Sequence, residues 1–106
     1  MAWGWRNKTR ADKGQAEIVI DLRRIGASVE VIGHPLDLLV GLHGVTLLVE
    51  VKRPPGPKGG RSGSGQHLRD TQKRFIESWR GSTPLVVTEL DAVEQVIAAV
   101  ERLRRD

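Results

Sequence analysis

A chain of 106 residues, 39% hydrophobic and 28% charged, has the composition of one soluble globular domain able to bury roughly two-thirds of its unfolded surface. Seventeen Lys and Arg against thirteen Asp and Glu leave a net charge of +4 and a pI near 10.1, which favours a polyanionic partner. The lack of cysteine excludes a disulfide framework and a thiolate metal site; with no signal-peptide pattern and no apolar run of membrane-spanning length, an intracellular, cytoplasmic location is expected.

Residues 1–13, MAWGWRNKTRADK, form a basic N-terminal arm in which Trp3 and Trp5 alternate with Arg6, Lys8 and Arg10. Cations beside aromatic faces suit a nucleic-acid backbone and unstacked bases, while the tryptophans equally suit packing on the domain or on a second subunit. A helix is expected from Gly14 to Ile25, with Asp12 as its cap and Gln15 returning a hydrogen bond; Ile18, Val19, Leu22 and Ile25 make its apolar stripe and Gly26 stops it. Glu17 and Asp21 flank that stripe. Glu17 is the better placed of the two to add a carboxylate to a metal site; otherwise both are solvated helix charges.

Ala27–Ile32 reads as a strand, and Gly33-His34-Pro35 turns the chain. Two apolar runs follow, Leu36–Leu42 and Val45–Lys52, joined at His43-Gly44; bounded by Gly and Pro, they read as strands buried on both faces of a sheet and paired as a tight hairpin. If His43 and Gly44 are the loop, Leu42 faces Val45, Gly41 faces Thr46, and Asp37 falls directly opposite Glu50. Opposed residues share a face, with Cβ atoms about 4.5–5.5 Å apart. Two carboxylates at that spacing among apolar neighbours repel, and a hard divalent cation between them removes the repulsion. Strand alternation brings Lys52 to the same face and turns Val51 away. His34 and His43 read as solvated loop residues.

The character changes after Lys52. Residues 53–67 are rich in Pro, Gly and Ser and basic, so they cannot bury a face and form a flexible basic loop, which hangs Arg53, Lys58 and Arg61 beside the carboxylates as phosphate contacts. A helix from Arg69 to Trp79 carries Gln72, Phe75, Ile76 and Trp79 on one stripe, with Trp79 as a core residue and Lys73 and Arg80 outward, towards a phosphate backbone. Gln72 needs partners if enclosed; capping the metal site and bonding a nearby backbone group are both open to it. Gly81-Ser82 ends that helix, Pro84–Thr88 is a short strand, and Asp91 with Glu94 makes a capping box for a last helix striped by Val93, Val96, Ile97, Val100 and Leu103.

The order helix, three strands, helix, strand, helix, with Asp37, Glu50-Val51-Lys52 and Gln72 in sequence, resembles the PD-(D/E)xK nuclease superfamily. It is most similar to the small stand-alone, phage-encoded members of the VRR-NUC (virus-type replication-repair nuclease) family. LDLLVG at Leu36–Gly41 matches the Asp motif, although Leu36 stands between Pro35 and the acid where the family has Pro directly before it. EVK is intact, QKRFIESW at Gln72–Trp79 matches the Gln-bearing helix, and QAEI at Gln15–Ile18 looks like the first helix. The resemblance implies an α/β fold: a restriction-endonuclease-like αβββαβ core with a mixed sheet flanked by helices, plus a C-terminal helix. It implies a Mg²⁺- or Mn²⁺-dependent endodeoxyribonuclease in which Asp37, Glu50 and the Val51 carbonyl hold the ion, Glu17 assists, Lys52 steadies the attacking hydroxide and Gln72 positions the site. Stand-alone members act on branched DNA, four-way (Holliday) junctions included, as homodimers. Two other functions fit the composition: a basic DNA- or RNA-binding module that does not cut, and an accessory subunit of a phage or repair complex.

Overall fold

The structure is a computed structural model that describes residues 10–53 and 68–105, with side chains in the first helix from Gly14 onward. In chain order the elements are α1 (Arg10–Arg24), β1 (Ser28–Val31), β2 (Leu38–Leu42), β3 (Val45–Lys52), α2 (Asp70–Ser78), β4 (Leu85–Thr88) and α3 (Ala92–Arg105). They form an α/β fold around a four-stranded mixed sheet in the order β1-β2-β3-β4. The first three strands are antiparallel and β4 runs parallel to β3, so the β3–β4 connection is a crossover, and it contains α2. No helix among the described residues is long and apolar enough to cross a membrane.

The α1 helix begins at Arg10 rather than Gly14, so Asp12 lies inside it and is not its cap. Gly14 is buried, and a Cβ there would stand 3.4 Å from the Glu89 carboxyl carbon; a glycine lets that side chain approach the helix. The helix stops as expected at Gly26, whose φ of 99° suits a residue without a Cβ. Ala27 N–H donates to the Leu22 carbonyl and Gly26 N–H to that of Arg23, the paired bonds of a Schellman turn. That turn rotates Ile25 outward, so it leaves the stripe that Ile18, Val19 and Leu22 keep.

One face of the sheet carries Val29, Leu38, Val40, Leu42, Leu47, Val49 and Val87, which pack with Ile18, Val19 and Leu22 of α1 and with Ala92, Val96, Ala99 and Val100 of α3 into a single core. In α3 the alanines at 92 and 99 turn inward and Ile97 turns out, because small side chains let the helix settle on the sheet. Asp91 does not reach forward to cap α3: its Oδ1 accepts from the Thr88 N–H (3.0 Å) and hydroxyl (3.3 Å), closing the loop before the helix.

The hairpin strands are buried on one face, not two. On the other face Thr46 and Leu39 are exposed and Leu48 is half-buried, so each strand alternates as an antiparallel strand covered on one side does. This second face also carries Glu50, Lys52 and Val86, and α2 lies against it through Gln72.

Candidate metal centre

The hairpin turn has φ of 51° at His43 and 82° at Gly44, positive at both central residues as a type I′ turn requires. The pairing runs Leu42↔Val45, Gly41↔Thr46, Val40↔Leu47, Leu39↔Leu48, Leu38↔Val49, the register expected from a two-residue loop. Continued one residue past Leu38↔Val49, this register would set Asp37 opposite Glu50. Asp37 stands just before β2 and is tied at both ends: its carbonyl accepts from the N–H groups of Ile32 (2.9 Å) and Gly33 (3.1 Å) beyond β1, and its Oδ2 accepts from the Val51 N–H at 2.8 Å. Leu36, fully buried, pins the entry to the strand.

Glu50 is enclosed, at 3% exposure, where α2 covers the sheet. Its Oε2 accepts from Gln72 Nε2 at 2.8 Å and pairs with the Lys52 ammonium at 3.0 Å. Its Oε1 is buried without a hydrogen-bond partner. Burial pushes the Asp37 carboxyl above its ordinary range; the Val51 N–H opposes this, and Glu50 adds to it both as a neighbouring charge and as an acceptor for the protonated form. Two carboxylates thus meet acceptor to acceptor, one with an orphaned oxygen. A buried acceptor without a donor costs about 1–3 kcal/mol, more when charged, and either a proton or a hard cation removes that cost. The donor set fits Mg²⁺ or Mn²⁺. The Val51 carbonyl points to the same flank of β3 as its N–H, towards Asp37, because a strand residue presents both groups to one neighbour. Its side chain packs against the core on the opposite face from Glu50 and Lys52.

Gln72, buried at 6% exposure, bonds both a nearby backbone group and the Glu50 carboxylate. Its Oε1 accepts from the Arg69 backbone N–H at 3.1 Å, the returning half of a capping box at the start of α2, and from Lys52 Nζ at 3.4 Å. With both donors on the oxygen, the amide nitrogen is left to donate to Glu50. Glu50, Lys52 and Gln72 are therefore one connected group on β3 and α2, and Asp37, just before β2, is tied to β3 beside it through the Val51 N–H.

Glu17 is not part of that group. It is exposed on α1 and lines a groove with Asp21, Arg24 and Glu89. Among the described residues no three His, Cys, Asp or Glu side chains gather as a metal cluster, so the carboxylate donors at the site are Asp37 and Glu50. Arg53 and Lys73 are exposed, on the segments leaving β3 and within α2. Arg6, Lys8, Lys58 and Arg61, with Trp3, Trp5 and the loop after Arg53, lie outside the described residues, as does the Arg10 side chain. Trp79 is not a core residue: it is 45% exposed at the end of α2. The nearby backbone group is the Arg69 N–H, as the position of a Gln three residues into a helix signals. No protein-family model, curated protein or solved structure matches the chain.

Proposed function

We propose that this protein is a divalent-metal-dependent DNA endonuclease with a restriction-endonuclease-like core, hydrolysing phosphodiester bonds and selective for branched DNA such as four-way junctions. The observation that carries the reading is the orphaned, buried Glu50 Oε1 of a carboxylate that neighbours Asp37, with Lys52 paired to its other oxygen. Asp37, Glu50 and the Val51 carbonyl would hold the cation. When bound, it supplies Lewis acidity that acidifies a water and polarises a phosphoryl oxygen. The Lys52 ammonium orients the attacking oxygen and offsets the charge that grows on the phosphoryl group, a contribution of the kind worth 10²–10³-fold in rate at roughly 3–4 kcal/mol. Gln72 holds Glu50 and Lys52 in register through its two ends. Symmetric incision of a junction needs two sites, and a domain of this size has one, so the acting species is a two-fold homodimer.

A panel of end-labelled single strands, duplexes, flaps and four-way junctions, incubated with Mg²⁺, Mn²⁺ or EDTA, tests this. The expected result is metal-dependent incision of branched substrates. Binding without any metal-dependent product would replace the nuclease reading with that of a non-cutting nucleic-acid-binding module.

A further inference from the structure

The indole of Trp79 is held in place yet left open. It is 45% exposed, and its ring centroid lies 5.2 Å from that of Phe75 at an interplanar angle of 31°. Its other support is Gly81: a Cβ there would stand 2.7 Å from Nε1 and 3.2 Å from Cε2 of the indole. The Gly81 φ lies outside the left-handed region, so room for the indole, not backbone freedom, is what a glycine provides there. An aromatic ring seated against Phe75 on one side and a bare backbone on another is preorganised, and its free surface costs solvation until something covers it.

Position and charge identify the cover. Trp79 caps the C-terminal end of α2, seven positions after Gln72 and, at the helical rise, about 10 Å along the axis, the length of about three stacked nucleotide steps. From Arg69 to Arg80 the segment carries four cations, Arg69, Lys73, Arg74 and Arg80, against two acids, and all four cations are exposed. A flat apolar face beside a chain of cations matches a strand that offers phosphates and an unpaired base. A paired base keeps both faces inside its stack and has none to give.

We infer that Trp79 is a stacking platform for an unpaired nucleobase, and that it makes α2 the element selecting single-stranded or unpaired DNA near the bond to be cut. The placement relative to the bond rests on the nuclease reading; the stacking itself does not.

The test uses the full chain with Trp3→Phe and Trp5→Phe, leaving Trp79 as its one indole, titrated in EDTA with single-stranded, gapped and fully paired oligonucleotides. Single-stranded and gapped DNA should quench the indole fluorescence and blunt duplex should not. By anisotropy of labelled DNA, Trp79→Ala should weaken binding to unpaired DNA about five- to a hundred-fold with duplex binding unchanged, and Trp79→Phe should retain most of the affinity. Gly81→Ala, which unseats the ring without removing it, should lose an intermediate amount. Equal losses on paired and unpaired DNA, no loss at all, or a change of oligomeric state with Trp79→Ala and no change in binding would each overturn the inference. Because binding is read without metal, the two readings fail separately. Intact incision with a neutral Trp79→Ala sinks the platform alone, and absent incision with the Trp79 effect in place sinks the nuclease alone.

Discussion

Gln72 donates to Glu50 at 2.8 Å across 22 positions of sequence, and the oxygen it holds is the one that Lys52 also holds at 3.0 Å. The second Glu50 oxygen is left buried without a partner, and Glu50 lies close enough to Asp37 to raise its carboxyl. If that arrangement is catalytic, Glu50→Gln should abolish metal-dependent incision, and Lys52→Ala should slow it by about 10²–10³-fold. Neither should change the far-UV circular dichroism or the affinity for DNA in EDTA. Incision at the wild-type rate by either variant would remove the site from the mechanism.

Asp37 and Glu50 repel each other in the absence of a cation, so a cation should stabilise the fold. At a hundred times its Kd a ligand adds about 2.7 kcal/mol, which in a domain of this size raises Tm by on the order of ten degrees. Thermal melts with Mn²⁺, Mg²⁺ and EDTA read this directly. Asp37→Asn should melt higher than the wild type in EDTA, since the amide still accepts from the Val51 N–H and carries no charge towards Glu50. It should also lose the response to metal. A metal-dependent rise that survives Asp37→Asn would place the cation elsewhere.

The raised Asp37 carboxyl gives a second handle. The folded chain keeps that proton to higher pH than the unfolded chain, so between the ordinary value of 3.8 and the raised one the folded state binds more protons. Stability contributed by this group therefore falls as pH rises through that window. In urea titrations across this range in EDTA, the wild type should lose stability relative to Asp37→Asn as pH rises, then run parallel to it. Saturating Mg²⁺ should cancel the fall. Parallel curves throughout would mean that Asp37 titrates alike in both states.

The hairpin was legible because its turn and register are local. A two-residue loop with Gly second determines which residues oppose from Leu42↔Val45 back to Leu38↔Val49, the residues next to Asp37 and Glu50. Gln72 was legible as a position but not as a junction, since its hold on Glu50 depends on how the crossover helix settles on the sheet. Trp79 and Ile97 were misplaced because helical periodicity marks an apolar stripe without saying how far the covering layer extends. Glu17 shows the same limit: an acid at the edge of a stripe turns towards Asp21 and Glu89 rather than the hairpin. Leu36 is fully buried, and Asp37 after it accepts from the Val51 N–H.

His43 is the one non-glycine residue among those described with positive φ, at 51°. Asn tolerates that conformation better, being enriched several-fold there, and Asn-Gly is the preferred pair for this turn. His43→Asn should raise stability by about 0.5 kcal/mol in denaturant titrations and leave incision unchanged, since the turn lies at the far end of the hairpin from Glu50. A loss of stability would mean that the imidazole makes a contact worth more than the backbone preference.

Gln72 joins the start of α2 to the second face of the sheet, so its removal should act on both structure and chemistry. Gln72→Ala deprives Glu50 Oε2 of one donor and leaves the Arg69 N–H without the amide oxygen, a change expected to cost roughly 1–3 kcal/mol. Hydrogen exchange should show α2 amides losing protection while those of β2 and β3 keep theirs, because the hairpin core does not rest on this helix. Gln72→Glu separates the two effects. A carboxylate can still accept from Arg69 N–H and Lys52, so the helix start is kept, but it faces Glu50 with an acceptor instead of a donor. Incision by Gln72→Glu should therefore fall further than its loss of stability explains, and its metal dependence should shift to higher concentration. Should both variants cut normally with α2 protection unchanged, the amide would be only a helix cap, and the tie between α2 and the carboxylates would carry no function.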